Sequence, residues 1–235
     1  MTSTWQESAA ALVVDLQRIF ALRLRSVVAY GPQIEGDTAH PLTTLALVDS
    51  LSVEDLEGCA HRSHQWTRHG LAIPLMLAVP EFLRSLDAFP LEYNAIIRTH
   101  ARVFGEDPFD GLSVAREDLR RACETQAKSH LVHLREGFIE TGGRPKDIAD
   151  LVVTSAPAFA ALLRSVASLQ DETPPNLADA ARAGAHAAGL SAVVVADMLS
   201  LERRSGMPAT DAARLFPSYL EAVEQLAHAV DGWRT

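Results

Sequence analysis

Residues 25–48 constrain this chain more than any other segment. Val27, Val28 and Ala29 form a short apolar run that ends at Tyr30, Gly31 and Pro32. β-Branched residues in a run of that length, stopped by glycine and proline, read as a buried strand ending in a turn. A loop holding Gly36, Asp37 and Pro41 follows, and a second apolar run, Thr43–Val48, comes after it. Between Asp37 and Asp49 there is no carboxylate.

The flanking segments alternate in type. Leu12, Leu16, Ile19, Phe20 and Leu24 recur at three- and four-residue spacing, so residues 6–24 are expected to open the chain as an amphipathic helix. Ser52 and Asp55 give a capping-box start for a helix running to about Arg68, and Gly70 stops it. Residues 71–79 read as a third strand, in which Pro74 points to a sheet edge or an irregularity, and Pro80 opens a short helix. Tyr93, Ile96, Ile97 and Val103 favour extended structure over residues 91–104, as two short strands or a broken one.

The character changes after Ser113. Long helices are expected at residues 115–142 and 145–169, the second kinked or divided at Pro157. Shorter helices follow at 177–188 and 191–203, and a last one at 210–232 contains Pro217. The expectation is an α+β chain: a mixed sheet with helices over residues 1–111, then an all-α bundle over 112–235.

Composition sets broad limits. The chain of 235 residues is 48% hydrophobic and 22% charged, the range of a soluble globular protein able to bury a real core. Thirty acidic against 21 basic residues give a formal charge of -9, which argues against broad nucleic-acid binding. No run long and apolar enough to cross a membrane is expected, and the N-terminus lacks the positive flank of a signal peptide. Cys59 and Cys123 lie far apart, so a reducing cytoplasm is the expected setting.

The segments Tyr30, Gly31, Pro32 and Thr43–Val48 with Asp49 resemble the nucleotidyltransferases of the DNA polymerase β superfamily, especially small bacterial members with a C-terminal helical domain. Residues 51–56, 89–93 and 103–108 match in order and spacing. The resemblance implies a glycine–serine turn that meets phosphates, two alternating acidic residues on the next strand, and a third carboxylate on a later one. Such clustered carboxylates hold Mg²⁺ for in-line attack on a nucleotide's α-phosphorus.

Here Gly31 matches, but Pro32 stands at the serine position, with neither a hydroxyl nor a backbone N–H. Counting from Pro41 puts Leu45 and Leu47 at the acidic positions, and counting from Gly36 puts Thr44 and Ala46 there. The third position falls near Ala95. The implied nucleotide cleft is Tyr30, Gly31, Pro32, Gln33, Thr43 and Thr44, in a degenerate form.

Other conspicuous residues have rival readings. Asp37, Asp49 and Glu92 are the carboxylates closest to the expected site; they form either a displaced metal site or a loop, strand-end and exposed-strand trio. Cys59, His61, His64 and His69 suggest zinc, but helix geometry puts Cys59 off the face shared by His61 and His64. His130 and His133 form an i, i+3 pair on the long helix, and Arg98, His100 and Arg102 alternate as if on one strand face. Arg116, Arg120 and Arg121 sit among Glu117, Asp118 and Glu124 as on an exposed, ion-paired helix.

The sequence therefore points to a nucleotidyltransferase-like protein without catalysis, binding a nucleotide, another small ligand, a protein partner or a second copy of itself. No cofactor is expected on that reading. The alternatives are an active Mg²⁺-dependent nucleotidyltransferase using Asp37, Asp49 and Glu92, and a helical interaction scaffold.

Overall fold

The opening apolar stripe becomes helix α1 (Trp5–Phe20), which buries Leu12, Leu16 and Phe20. The structure, a computed structural model, describes residues 5–36, 40–170, 174, 176–202 and 204–233. Two compact units divide the chain, Met1–Val114 and Ala115–Thr235.

In the first unit a 3-10 turn (Ala21–Arg23) leads from α1 into β1 (Leu24–Tyr30). Strand β2 (Thr43–Val48) lies antiparallel to β1, and β3 (Leu75–Ala78) lies parallel to β2. Strand β4 (His100–Gly105) runs antiparallel to β1 on its other side, giving a mixed sheet of order β3-β2-β1-β4. Helix α2 (Val53–Arg68) starts at the expected capping box, in which Ser52 and Asp55 satisfy each other's backbone N–H. Asp55 also accepts two 2.7 Å bonds from Arg23, tying the start of α2 to the entry of β1.

Two expectations need correction. The third strand begins only at Leu75: Pro74 has no N–H for the ladder, and Leu71 contributes an isolated bridge to Leu42. Residues 91–104 are not a broken strand. They form helix α4 (Pro90–Arg98) followed by β4. β-Branched residues raised the strand propensity there, but Tyr93 and Ile96 have helical spacing and bury one helix face. A short helix α3 (Val79–Ser85) precedes α4, with Pro80 in its first turn.

The sheet is apolar on both faces. Val27, Ala29, Ala46 and Val48 pack against α1 and α2, while Val28, Leu45 and Leu47 pack against Phe82, Tyr93, Ile96 and Phe109. A bulge at Val103 sets the outer edge: Phe104 pairs with Val27, but Arg102 pairs with Val28. Val103 and Phe104 therefore both reach the α1–α2 side, and Arg102 and His100 stand on the other.

The second unit consists of α5 (Arg116–Glu140), α6 (Pro145–Ser168), α7 (Leu177–Ala187), α8 (Ala192–Leu201) and α9 (Ala209–Gly232). Pro157 and Pro217 sit on exposed faces, and the helices run through them unbroken. Small residues let helices approach: a Cβ added at Gly184 on α7 would stand 1.9 Å from the Leu163 carbonyl oxygen on α6. Contrary to expectation, one helix among the described residues, α6, is long and apolar enough to span a membrane. Half of its apolar window is buried, with Val152, Phe159, Leu163 and Val166 in the core of the unit.

Candidate functional site at the glycine turn

Gly31 connects β1 to a short 3-10 turn (Pro32–Glu35) with φ 85° and ψ -171°, a conformation that disfavours any L side chain. Space demands glycine as well, since a Cβ there would lie 2.7 Å from Thr43 Oγ1. Thr43 is pinned by donating to the Tyr30 carbonyl at 2.5 Å, and the Ile34 N–H donates to the Gly31 carbonyl. Pro32 brings no N–H, so the turn bonds largely to itself.

Of the six expected cleft residues, Gly31, Pro32 and Gln33 lie in the turn, and the three strand residues divide between the two sheet faces. Tyr30 and Thr43 pair across the strands and share a face with His100. Thr44 pairs with Ala29, whose side of the sheet packs on α1 and α2, and it is 1% exposed. Thr44 Oγ1 and the buried Gln33 Oε1 have no hydrogen-bond partner among the described residues. Burial, and then neighbouring Tyr93, push the Tyr30 phenol above its ordinary pKa.

Neither register of the acidic pair provides a metal ligand. Leu45 and Leu47 are 0% and 3% exposed, beneath an aromatic seal. In that seal Phe82 meets Tyr93 and Phe109 edge-to-face, each at 5.5 Å between ring centres. Tyr93 and Ser85 join their hydroxyls at 2.7 Å, tying α4 to α3. Thr44 and Ala46 face the other core. Ala95 is exposed on α4 instead of lying on a strand. Clustered Mg²⁺ sites are built on anionic carboxylate oxygens, and none of these side chains supplies one.

Of the displaced carboxylates, Asp49 and Glu92 sit on separate elements. Asp49 follows the far end of β2, about 20 Å of extended chain from Thr43, and pairs with Arg25 at 2.5 Å. Glu92 is exposed in the first turn of α4, not on a strand. Asp37 lies outside the described residues. Among the described residues no group of three or more His, Cys, Asp or Glu side chains is placed to hold a metal. Cys59 packs its sulfur 3.6 Å from Met76, while His61, His64 and His69 are exposed. Burial pushes the Cys59 thiol up to about 11, which keeps it protonated and inert.

Sequence reasoning singled out His100 and Arg102 but missed Asp107, the partner that completes a polar cluster at this end of the sheet. His100 Nδ1 lies 2.9 Å from the Ile96 carbonyl at the end of α4, and Nε2 lies 3.1 Å from Asp107. Asp107 accepts the Phe109 N–H, the main reason its carboxyl sits below the usual range, with His100 and Arg102 adding to the effect. His100 thereby joins α4, β4 and the turn carrying Phe109, whose ring lies 4.9 Å from its own. The readable signal was Asp107, in the glycine–proline turn just after the alternating His100 and Arg102. Those two do share a strand face, whereas Arg98 ends α4.

The helical unit separates the two histidines of α5. His133 is exposed and meets Glu136, whereas His130 is buried with Nε2 2.7 Å from the Tyr219 hydroxyl. Arg120 and Arg121 make the expected pairs with Glu117, Asp118 and Glu124.

No protein-family model and no curated protein matches the chain. Among solved structures it is similar to spectinomycin adenyltransferase AAD(9) from Enterococcus faecialis, crystallised with ATP and spectinomycin. The TM-score is 0.61 at 12% identity, over 97% of this chain and 100% of that one. Identity that low carries the fold alone. The protein has a nucleotidyltransferase-like α+β fold with a helical C-terminal part.

Proposed function

We propose that this protein uses a nucleotidyltransferase-like fold for binding or regulation, without nucleotidyl transfer. One observation carries the reading: the sheet face beside the glycine turn has Leu45 and Leu47 where the resemblance implies Mg²⁺ carboxylates, both sealed under Phe82, Tyr93, Ile96 and Phe109. Reaching that face would break an apolar core, and a carboxylate introduced there would be buried without a partner. The ligand is a nucleotide or another small molecule held at the rim of the turn. Tyr30 and Gln33 are the half-buried polar residues there. Stacking and ribose contacts need no metal, so binding can outlast catalysis. The protein would then act in the cytoplasm, apart from membranes.

The test is calorimetry and thermal shift with ATP, GTP, CTP and UTP, each with and without Mg²⁺. Metal-independent binding without pyrophosphate release is expected. Metal-dependent binding with pyrophosphate release would overturn the non-catalytic reading, and silence with every nucleotide would remove the nucleotide from it.

A further inference from the structure

The helical unit contains a groove of about 450 Å³ lined by α8, the start of α9 and the connection between them. That volume lies in the range of small-molecule sites. Val194, Leu201, Met207 and Leu215 supply its apolar lining, and Val194 and Leu201 are buried. Met207, unbranched and polarizable, can adjust to the shape of an occupant.

Two opposite charges line the same groove. Asp197 comes from α8 and Arg204 from the connection, and neither side chain has an ion pair or hydrogen bond among the described residues. Elsewhere in this unit pairing is common: Arg120, Lys128, Arg135, Arg164 and Arg182 each meet a carboxylate. Asp211 and Arg214 also line the groove, but they face each other at 3.7 Å.

This arrangement selects by charge. A polyphosphate would meet Asp197 and Asp211, and a simple cation would meet Arg204 and Arg214. A neutral apolar ligand would leave both unpaired charges unused. A molecule that carries an ammonium, a carboxylate and an apolar body satisfies all three surfaces.

We infer that this groove binds an apolar zwitterion, an amino acid or a short peptide, with its ammonium on Asp197 and its carboxylate on Arg204. Its side chain lies on Val194, Leu201 and Met207. The site shares no residue with the glycine turn and does not depend on the function proposed there.

Calorimetry of the full chain with leucine, dileucine and trileucine tests this. Saturable binding of at least one is expected, and the lengths that bind separate an amino-acid site from a peptide site. N-acetylation of the ligand and Asp197→Asn should each weaken binding about tenfold, as should C-terminal amidation and Arg204→Gln. Both substituted side chains are exposed, so circular dichroism should show an unchanged fold. No saturable binding of any of the three at millimolar concentration overturns the inference. Binding that either cap or either variant leaves unchanged overturns it as well.

Discussion

Replacing His130 with Gln should flatten the acid dependence of stability in the helical unit. His130 Nε2 lies 2.7 Å from the Tyr219 hydroxyl, which donates to Ser155 Oγ at 3.1 Å, and Ser155 donates to the Val152 carbonyl. The tyrosine proton is used on Ser155, so His130 must donate through Nε2, a bond that the neutral Nε2–H tautomer makes in full. The chain of bonds joins α5, α9 and α6, and His130 also stacks on Phe159. Burial, with a smaller contribution from His133, lowers the imidazole from 6.5 to about 4.

The folded state therefore takes up this proton less readily than the unfolded chain. The stability is fully present above pH 6.5, is lost as pH falls towards 4, and does not change further below that. The full loss is about 3 kcal/mol at about 1.4 kcal/mol per unit, and about 2 kcal/mol of it should appear between pH 7 and pH 5. Gln can still donate to Tyr219 but cannot titrate. Urea unfolding followed by far-UV circular dichroism at both pH values measures the difference. The wild type should lose about 2 kcal/mol more than His130→Gln over that interval. Equal losses, within about 0.5 kcal/mol, would refute the neutral, buried assignment.

Other perturbations probe the rest of the structure. Gly31→Ala meets both a positive φ and Thr43 Oγ1 at 2.7 Å, so thermal unfolding should show a loss of about 1–3 kcal/mol. Gly184→Ala should be worse, because its Cβ would stand 1.9 Å from the Leu163 carbonyl oxygen; α6 and α7 must part, and hydrogen exchange in both should accelerate. Phe82→Ala removes the centre of the aromatic seal and should cost about 3–5 kcal/mol in urea unfolding, with faster exchange at the β2 amides. Asp55, held at about 2 chiefly by the Arg23 hydrogen bond, stabilises the first unit above pH 3.8, and this is lost as pH falls towards 2. Asp55→Asn should remove that acid dependence, measured by urea titration across the same interval.

Much of the fold was legible because local signals and global packing agreed. β1 and β2 carry β-branched and apolar runs bounded by glycine, proline and a polar loop; α2 has its capping box; the long helices show their apolar spacing. Helix α4 was misread because β-branched residues favour strand locally, and only burial of Tyr93 and Ile96 against the sheet reverses that preference. The site was legible in part. Gly31 and Pro32 announced the turn, but which face each strand residue takes depends on register, and a shift of one residue exchanges the faces.

The sequence alone determined the strand–turn–strand unit, the helical second half and the lack of acidic residues over Thr43–Val48, since these depend on residue type and short-range spacing. Only the tertiary structure decided that Leu45 and Leu47 are sealed beneath α3, α4 and Phe109, and that His100 meets Asp107. The structure likewise buried His130 and left His133 in solvent, although they are three residues apart on one helix. The burial of Leu45, Leu47 and His130 rests on contacts between segments distant in the chain, and such contacts exist only once the sheet register and helix packing are fixed.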